Sequence, residues 1–118
     1  MTVKAVALLK RRDDISHAEF VDYYETRHVP LILSLLPGIS GYTRNYADFG
    51  EAITGPEAPP FDFDVVTELW FDDRAAYDAA MAVAATPDVA AKIATDESHF
   101  LVSAKTRFFL VEEQSSQF

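Results

Sequence analysis

His28 is the residue whose type and position best suit acid–base chemistry in this sequence. It falls in the middle of an apolar stripe on one face of a predicted helix, and the other members of that stripe are Phe20, Val21, Tyr24, Leu31 and Leu35. An imidazole held among apolar side chains has a lowered pKa, so it stays neutral at pH 7 and can accept a proton. The position equally fits a structural histidine whose ring nitrogens bond to tyrosine or backbone groups. Pro30 favours the functional interpretation, because a helix break beside the ring leaves room for a pocket.

Tyr24 lies one helical turn before His28 and is the second candidate for a catalytic role. Its hydroxyl is placed either to orient the imidazole or to donate a hydrogen bond to a substrate carbonyl. The side chains predicted to contact a bound substrate are Phe20, Leu31, Arg44, Tyr46 and Trp70. Arg44 falls in the middle of a predicted strand, where a charge needs a partner: either Glu68 on the adjacent strand, or a ligand at the pocket mouth.

Metal and cofactor chemistry lacks its usual sequence signatures here. His17 and His28 share a helical face but lie 11 residues apart, a separation of about 16 Å that prevents them from binding one ion. The chain has no cysteine, no G-x-S-x-G motif, no phosphate-binding loop and no G-x-G-x-x-G motif. We therefore expect no metal site and no serine hydrolase, kinase or dinucleotide-binding function, and we expect His17 and His99 to be solvated.

The composition indicates one acidic domain that acts on neutral or apolar molecules. Ten basic and 19 acidic residues in 118 give a net charge of −9 and a pI near 4.6. Nucleic-acid binding needs a basic surface, so nucleic acid is not an expected partner. Residues 1–118 suffice for a single core, with a polar tail at about 113–118. No apolar run is long enough to span a membrane and no apolar leader follows Met1, so we expect a cytoplasmic protein.

The first predicted helix has a defined start, a weak point and a defined end. Ser16 and Glu19 have the spacing of a capping box, in which each side chain bonds to the backbone amide of the other residue. Pro30 lacks an amide hydrogen, so the carbonyl of Thr26 loses its helical partner and the helix should kink just before the proline. The Leu-Pro-Gly sequence at 36–38 is expected to end it.

The order of predicted elements indicates one open sheet with helices on one face. Strands are predicted at residues 3–9, 39–46, 63–71 and 99–111, with further helices at about 73–85 and 86–95. Residues 48–62 are rich in proline and glycine and predict a loop or flap. Strand, helix, strand, strand, helix and strand in that order predict a four-stranded sheet covered by a single helical layer.

Both faces of this predicted sheet carry apolar side chains, more than one helical layer can cover. Those considered are Val3, Ala5, Val65, Leu69, Phe71, Phe109 and Leu110. An identical subunit is the simplest cover for the second face. We therefore predict a homodimer in which two sheets pack face to face around a barrel-like interior.

Motifs along nearly the whole chain resemble the EthD family. Residues 17–31, HAEFVDYYETRHVPL, are similar to the first-helix pattern of that family. Leu-Pro-Gly at 36–38, Gly-Tyr at 41–42, Glu-Leu-Trp-Phe-Asp at 68–72 and Tyr77 follow in the family's order. The resemblance implies an α+β, ferredoxin-like βαββαβ fold with a four-stranded antiparallel sheet, assembled as a dimeric α+β barrel.

The resemblance also implies a function for the first-helix histidine. Similar proteins include methylmuconolactone methylisomerase, muconolactone isomerase-like proteins and polyketide-pathway cyclases, dehydratases and decarboxylases, which look cofactor-independent. Their first-helix histidine projects into a pocket between helices and sheet, and that role carries over to His28 alone. Some relatives draw a second acid or base from the connection after the second strand, whereas residues 48–62 contain no histidine here.

Three functions follow from these observations, and the sequence leaves them open. The leading one is a cofactor-independent isomerase, cyclase, dehydratase or decarboxylase acting on a small hydrophobic carbonyl compound such as a lactone or polyketide. The second is a non-catalytic dimeric module that binds a hydrophobic metabolite. The third is a haem or quinol monooxygenase of the same fold, which is disfavoured because no Lys or Arg lies between Arg44 and Arg74 to pair with haem propionates.

Overall fold

The computed structural model describes all 118 residues as an α+β fold of the predicted kind. The strands are β1 (Val3–Leu9), β2 (Ile39–Tyr46), β3 (Val65–Phe71) and β4 (Arg107–Val111). The helices are α1 (His17–Tyr23), α2 (Val29–Leu35), α3 (Arg74–Ala84) and α4 (Pro87–Glu97), with a π-helical turn at Tyr24–His28 and a 3₁₀ turn at Ser103–Lys105. The sheet is antiparallel in the order β2-β3-β1-β4. The ferredoxin-like βαββαβ prediction is therefore confirmed.

The helices cover one face of the sheet. Ala5 and Ala7 on β1 point to the same face of the sheet. Ala5 belongs to a buried cluster with Ala80 of α3, and Ala7 belongs to a buried cluster with Phe20 of α1. Buried and half-buried residues alternate along β1 and β3 with a period of two. The half-buried set lies on the opposite face, where no element of this chain packs, and the exposed ring of Phe109 on β4 shares that face.

The first helical arm, residues 17–35, contains the break that Pro30 predicts. Ser16 and Glu19 form both hydrogen bonds of the capping box at its start. At the break, the Val29 amide donates to the Tyr24 carbonyl, one residue further back than in an α-helix. Pro30 has no amide hydrogen to donate to Thr26, so the extra residue is accommodated as a π turn. Gly38 ends the arm with φ of +81°, which only glycine adopts without strain.

The predicted strand at 99–111 is wrong in its first half. Phe100 and Leu101 are buried, but only Leu101 pairs, through an isolated bridge to Arg11. A 3₁₀ turn then reorients the chain, and β4 begins only at Arg107. The difference arises because Phe100 packs into the core beside Phe20, which a continuous strand on the sheet edge would prevent. α4 also extends two residues beyond the predicted end at residue 95.

The core consists of two separate clusters. The larger one contains Ala7, Leu9, Phe20, Tyr24, Val65, Phe100 and Leu101, and the smaller one contains Ala5, Leu69, Phe71 and Ala80. The loop predicted at residues 48–62 is a loop, and the rings of Phe49 and Phe61 stack at 4.1 Å between their centroids within it. Arg107 on β4 donates to Asp62 at 2.7 Å and ties the loop to the sheet. No helix of the protein is long and apolar enough to cross a membrane.

The capping box gives a test of how the first helical arm is held. Replacing Ser16 with alanine removes the side-chain acceptor of the Glu19 amide. We expect Ser16→Ala to lower the free energy of unfolding by about 1 kcal/mol, measured by urea denaturation. Ser115→Ala, in the exposed tail, is the matched control and should change nothing. Equal stabilities of the two variants would contradict the capping role.

Candidate active site

A cavity of about 210 Å³ lies between the sheet and the helices, where the two core clusters meet. Its walls are mostly apolar and come from every layer of the fold; they include Leu9, Ile32, Leu69, Met81, Ile93 and Phe108. The titratable side chains at its surface are Tyr24, His28, Tyr42 and Glu97. No lysine or arginine lines it. The cavity is therefore suited to a neutral or weakly acidic hydrophobic molecule with a few polar atoms.

His28 lines this cavity and is 4% exposed. Its Nδ1 lies 2.6 Å from Oδ2 of Asp96. A carboxylate can only accept, so the neutral ring carries its proton on Nδ1 and keeps a lone pair on Nε2. Nε2 has no hydrogen-bond partner in the chain, and no fully buried polar side-chain atom is left unpaired. Nε2 is therefore accessible from the cavity.

Two opposing effects set the charge of this imidazole. Burial among apolar groups lowers the pKa of His28 below its usual 6.5, and the hydrogen bond and charge of Asp96 oppose that shift. Burial is the larger effect. His28 is consequently neutral at pH 7, in the form that accepts a proton, while Asp96 is in position to stabilise the imidazolium that would follow.

Asp96 is held by two donors and is a residue that sequence reasoning missed. Its Oδ1 accepts a hydrogen bond of 2.8 Å from the Tyr23 hydroxyl, and its Oδ2 accepts the bond from His28. Burial and the neighbouring carboxylate raise the pKa of Tyr23 to about 12, so Tyr23 remains a donor. Both donors belong to the first helical arm and the acceptor to α4, so this contact joins two elements that are distant in sequence.

Tyr24 packs against His28, but its hydroxyl is directed elsewhere. The two rings meet edge to face with centroids 5.1 Å apart. The Tyr24 hydroxyl lies 2.5 Å from Oγ1 of Thr67 and 3.4 Å from the Tyr42 hydroxyl. Burial raises the pKa of Tyr24, which keeps it protonated. Tyr24 therefore orients the imidazole through ring packing, and its hydroxyl belongs to a polar cluster on the sheet side of the cavity.

Glu97 is the second residue that sequence reasoning missed. It follows Asp96 at the end of α4 and lines the cavity without any hydrogen bond or ion pair from its side chain. Burial, and to a smaller extent the charge of Asp96, raise the pKa of Glu97 to about 7. Two adjacent carboxylates at the C-terminal end of a helix oppose its dipole, and this was the available signal in the sequence.

The five predicted substrate contacts lie outside the lining of this cavity. Phe20 is fully buried in the larger core cluster, and Leu31 faces an outer cleft between the first helical arm and α4. Trp70 lies on the opposite face of the sheet, beside Gly41 and Lys4. The reason is geometric: neighbours along a strand point to opposite faces, so Trp70 cannot share the side of Leu69.

Arg44 and Tyr46 are bound to an acidic residue at the edge of the fold. Two nitrogens of Arg44 donate to Glu25, at 2.9 and 2.5 Å, and the Tyr46 hydroxyl donates to the same carboxylate at 2.5 Å. The predicted pair of Arg44 with Glu68 is wrong, because the strand register places Arg44 opposite Thr67 and the two charges point to opposite faces. Glu68 pairs with Lys4 instead, at 2.5 Å.

The three histidines lie at separate places in the structure. No group of three or more His, Asp or Glu side chains is close enough together to hold a metal ion. His17 and His99 are exposed at separate places, and neither lines the cavity.

Comparison with known proteins relates this chain to one family. The EthD domain model matches residues 12–104, most of the chain. An EthD family protein from Bacillus halodurans is 24% identical, with 97% of this chain and 100% of that chain covered and a TM-score of 0.62. An EthD-like protein from Ralstonia eutropha is 22% identical, with 94% and 90% covered and a TM-score of 0.61.

A variant of SnoaB, a cofactor-independent oxygenase from Streptomyces nogalater, shares the fold at lower identity. It is 16% identical, with 98% of this chain and 95% of that chain covered and a TM-score of 0.61. No curated protein matches the chain. The match over residues 12–104, together with the βαββαβ fold, shows that the chain belongs to the EthD family.

Proposed function

We propose that this protein is a cofactor-independent acid–base enzyme that moves a proton on a small hydrophobic carbonyl compound. The observation that carries the proposal is the neutral His28 ring, held through Nδ1 by Asp96 and open to the cavity at Nε2. A base of this kind needs a lone pair at the substrate, a fixed tautomer and a counter-charge for its protonated form. His28 and Asp96 together supply all three.

The reaction proceeds through an enol or enolate. Nε2 of His28 removes a proton from a carbon next to the substrate carbonyl; the electron pair of that C–H bond forms a carbon–carbon double bond, and the π pair of the carbonyl moves onto its oxygen. The imidazolium is stabilised by Asp96 and then returns the proton to the same or to another carbon. Return of the proton to another carbon isomerises the substrate. Transfer of that proton to a β-hydroxyl, which then leaves as water, dehydrates the substrate. General base catalysis of this kind contributes about 10² to 10⁴ in rate.

The cavity itself limits the substrate class. Its apolar walls favour an aromatic or alicyclic skeleton, and the lack of a lysine or arginine disfavours a strongly anionic substrate. Lactones and aromatic polyketides meet both conditions. The cofactor-independent oxygenase among the structural relatives supports chemistry without a cofactor on this fold.

The residues at the cavity argue against the two alternative functions, a non-catalytic binding module and a haem or quinol monooxygenase. A pocket that only binds a metabolite would not need a paired acid and base, yet His28 and Asp96 are hydrogen-bonded at the cavity wall. A haem monooxygenase would need cations near the propionates, and none lines this cavity. The acid–base enzyme is therefore the function we carry forward.

We further propose that the protein works as a homodimer through the sheet face that the helices leave free. That face carries Val6, Leu8, Val66, Trp70, Phe109 and Val111. Phe109 is 44% exposed, which is unusual for a phenylalanine on a strand. A second copy presents the same surface. A two-fold axis lying between the two sheets would therefore bring the free face of each copy against that of the other and cover both.

The tautomer and charge of His28 can be tested without a substrate. We expect the ring to titrate with a pKa below 6.5, followed by NMR of the imidazole carbons and nitrogens. Asp96→Asn should lower that pKa further, because the carboxylate is the influence that raises it. Asp22→Asn, exposed on the same helical arm, is the control. A pKa that rises in Asp96→Asn would contradict this assignment.

The role of His28 as the base can be tested on proton abstraction alone, the first step of the proposed reaction. A panel of mono- and bicyclic aryl ketones in D₂O reports proton abstraction as deuterium uptake next to the carbonyl, measured by NMR. We expect the protein to accelerate uptake on the order of 10²-fold over buffer, and His28→Gln to abolish the effect. His17→Gln, at an exposed histidine, should retain it. Full activity in His28→Gln would exclude this residue as the base.

The dimer is tested by sedimentation of the purified protein. We expect a mass of two chains, and we expect Phe109→Asp to shift the protein to a monomer because a buried unpaired charge destabilises an apolar interface. Ile53→Asp is the control, since Ile53 is 97% exposed and lies outside the sheet. A monomeric parent protein at micromolar concentration would refute the proposal.

A further inference from the structure

Glu97 is a carboxyl group that the proposed function does not yet use. It lies on the cavity wall one helical turn after Ile93, which lines the same cavity. Side chains four residues apart share a helix face, so the cavity-facing side of α4 presents Ile93 and then Glu97. Lys92 and Asp96 face the outer cleft of the same helix. Glu97 is thus directed at the space a ligand would occupy.

No other group in the chain satisfies this carboxyl. The remaining titratable groups at the cavity all have partners: His28 has Asp96, and Tyr24 and Tyr42 share the cluster with Thr67. Glu97 has no hydrogen bond and no ion pair from its side chain, although apolar groups surround it. The carboxyl of this half-buried residue reaches the cavity surface without a partner in the chain, so it is free to hydrogen-bond to a ligand bound there.

The protonation state of Glu97 suits donation. Burial and the adjacent charge of Asp96 disfavour the carboxylate, and so does the negative end of the α4 dipole. The pKa of about 7 leaves a large fraction of Glu97 protonated at neutral pH. His28 and Glu97 therefore form a pair in which burial lowers the pKa of the base and raises that of the acid.

We propose that Glu97 is the catalytic acid that works with His28 at the same cavity, and that the substrate is a ketone or lactone whose carbonyl oxygen hydrogen-bonds to it. This inference rests on the proposed function. As Nε2 of His28 takes the proton from the carbon, the Glu97 carboxyl gives its own proton to the carbonyl oxygen. The C–H bond breaks, an O–H bond forms, and the product is a neutral enol. Reversal at another carbon restores both groups.

The tested change is Glu97→Gln, which keeps the shape and removes the proton donor. In the deuterium-uptake assay we expect kcat to fall about 10²-fold, while the loss of rate above pH 7 that marks ionisation of Glu97 in the parent protein disappears. A purely structural glutamate would not change the pH profile. Glu57→Gln, exposed in the loop, is the matched control and should behave like the parent protein.

The outcomes separate this inference from the proposed function. The proposed function is refuted if deuterium uptake with the parent protein is no faster than in buffer, or if His28→Gln is fully active. The role of Glu97 is then refuted with it. If His28→Gln is inactive but Glu97→Gln keeps both the rate and the pH profile of the parent protein, only the role of Glu97 is refuted.

A second measurement covers the case in which Glu97→Gln does not fold. The ¹³C signal of the Glu97 carboxyl is followed in the parent protein during titration with 2-naphthol, a neutral mimic of an enol. We expect the signal to shift and the pKa of Glu97 to change as the phenol binds. A carboxyl signal that stays unchanged at saturating phenol overturns the inference.

Discussion

The hydrogen bond between His28 and Asp96 connects the two parts of the molecule from which the site is built. The donor lies in the π turn of the first helical arm and the acceptor near the end of α4, 68 residues later in the chain. Tyr23 donates to the other oxygen of the same carboxylate. In a low-dielectric setting such a bond is stronger than in water, and loss of either partner leaves the other uncompensated. The contact therefore fixes the tautomer of the imidazole and the position of α4 together.

The cavity exists because the backbone and the packing both leave space at the same place. Pro30 cannot donate a hydrogen bond, and the π turn that results lies directly beside His28. The apolar core does not close over this point: Ala7 and Tyr24 belong to one cluster, Leu69 to the other, and all three line the cavity between them. A continuous core would be more stable, so the gap is a feature that binding of a guest molecule would explain.

The cavity does not share the strongly negative charge of the whole protein. The chain carries a net charge of −9, yet the cavity is lined mostly by apolar groups, His28 is neutral at pH 7, and a large fraction of Glu97 is protonated. Burial lowers the pKa of His28 and raises the pKa of Glu97, because it disfavours both the imidazolium and the carboxylate. The acid and the base therefore coexist without forming an ion pair, which would remove the proton donor and the acceptor at once.

The sequence alone determined the fold class and the helical face on which His28 lies. Alternation along the strands, the capping box at Ser16 and the break at Pro30 are local features, and they specify the type and order of the elements and the apolar face of the first helix. Asp96, Glu97 and the true partner of Arg44 were decided only by the tertiary structure. Hydrogen bonds between groups dozens of residues apart depend on strand register and on the position of α4, and no local pattern encodes a distance of 2.6 Å between a ring nitrogen and a carboxylate so far along the chain.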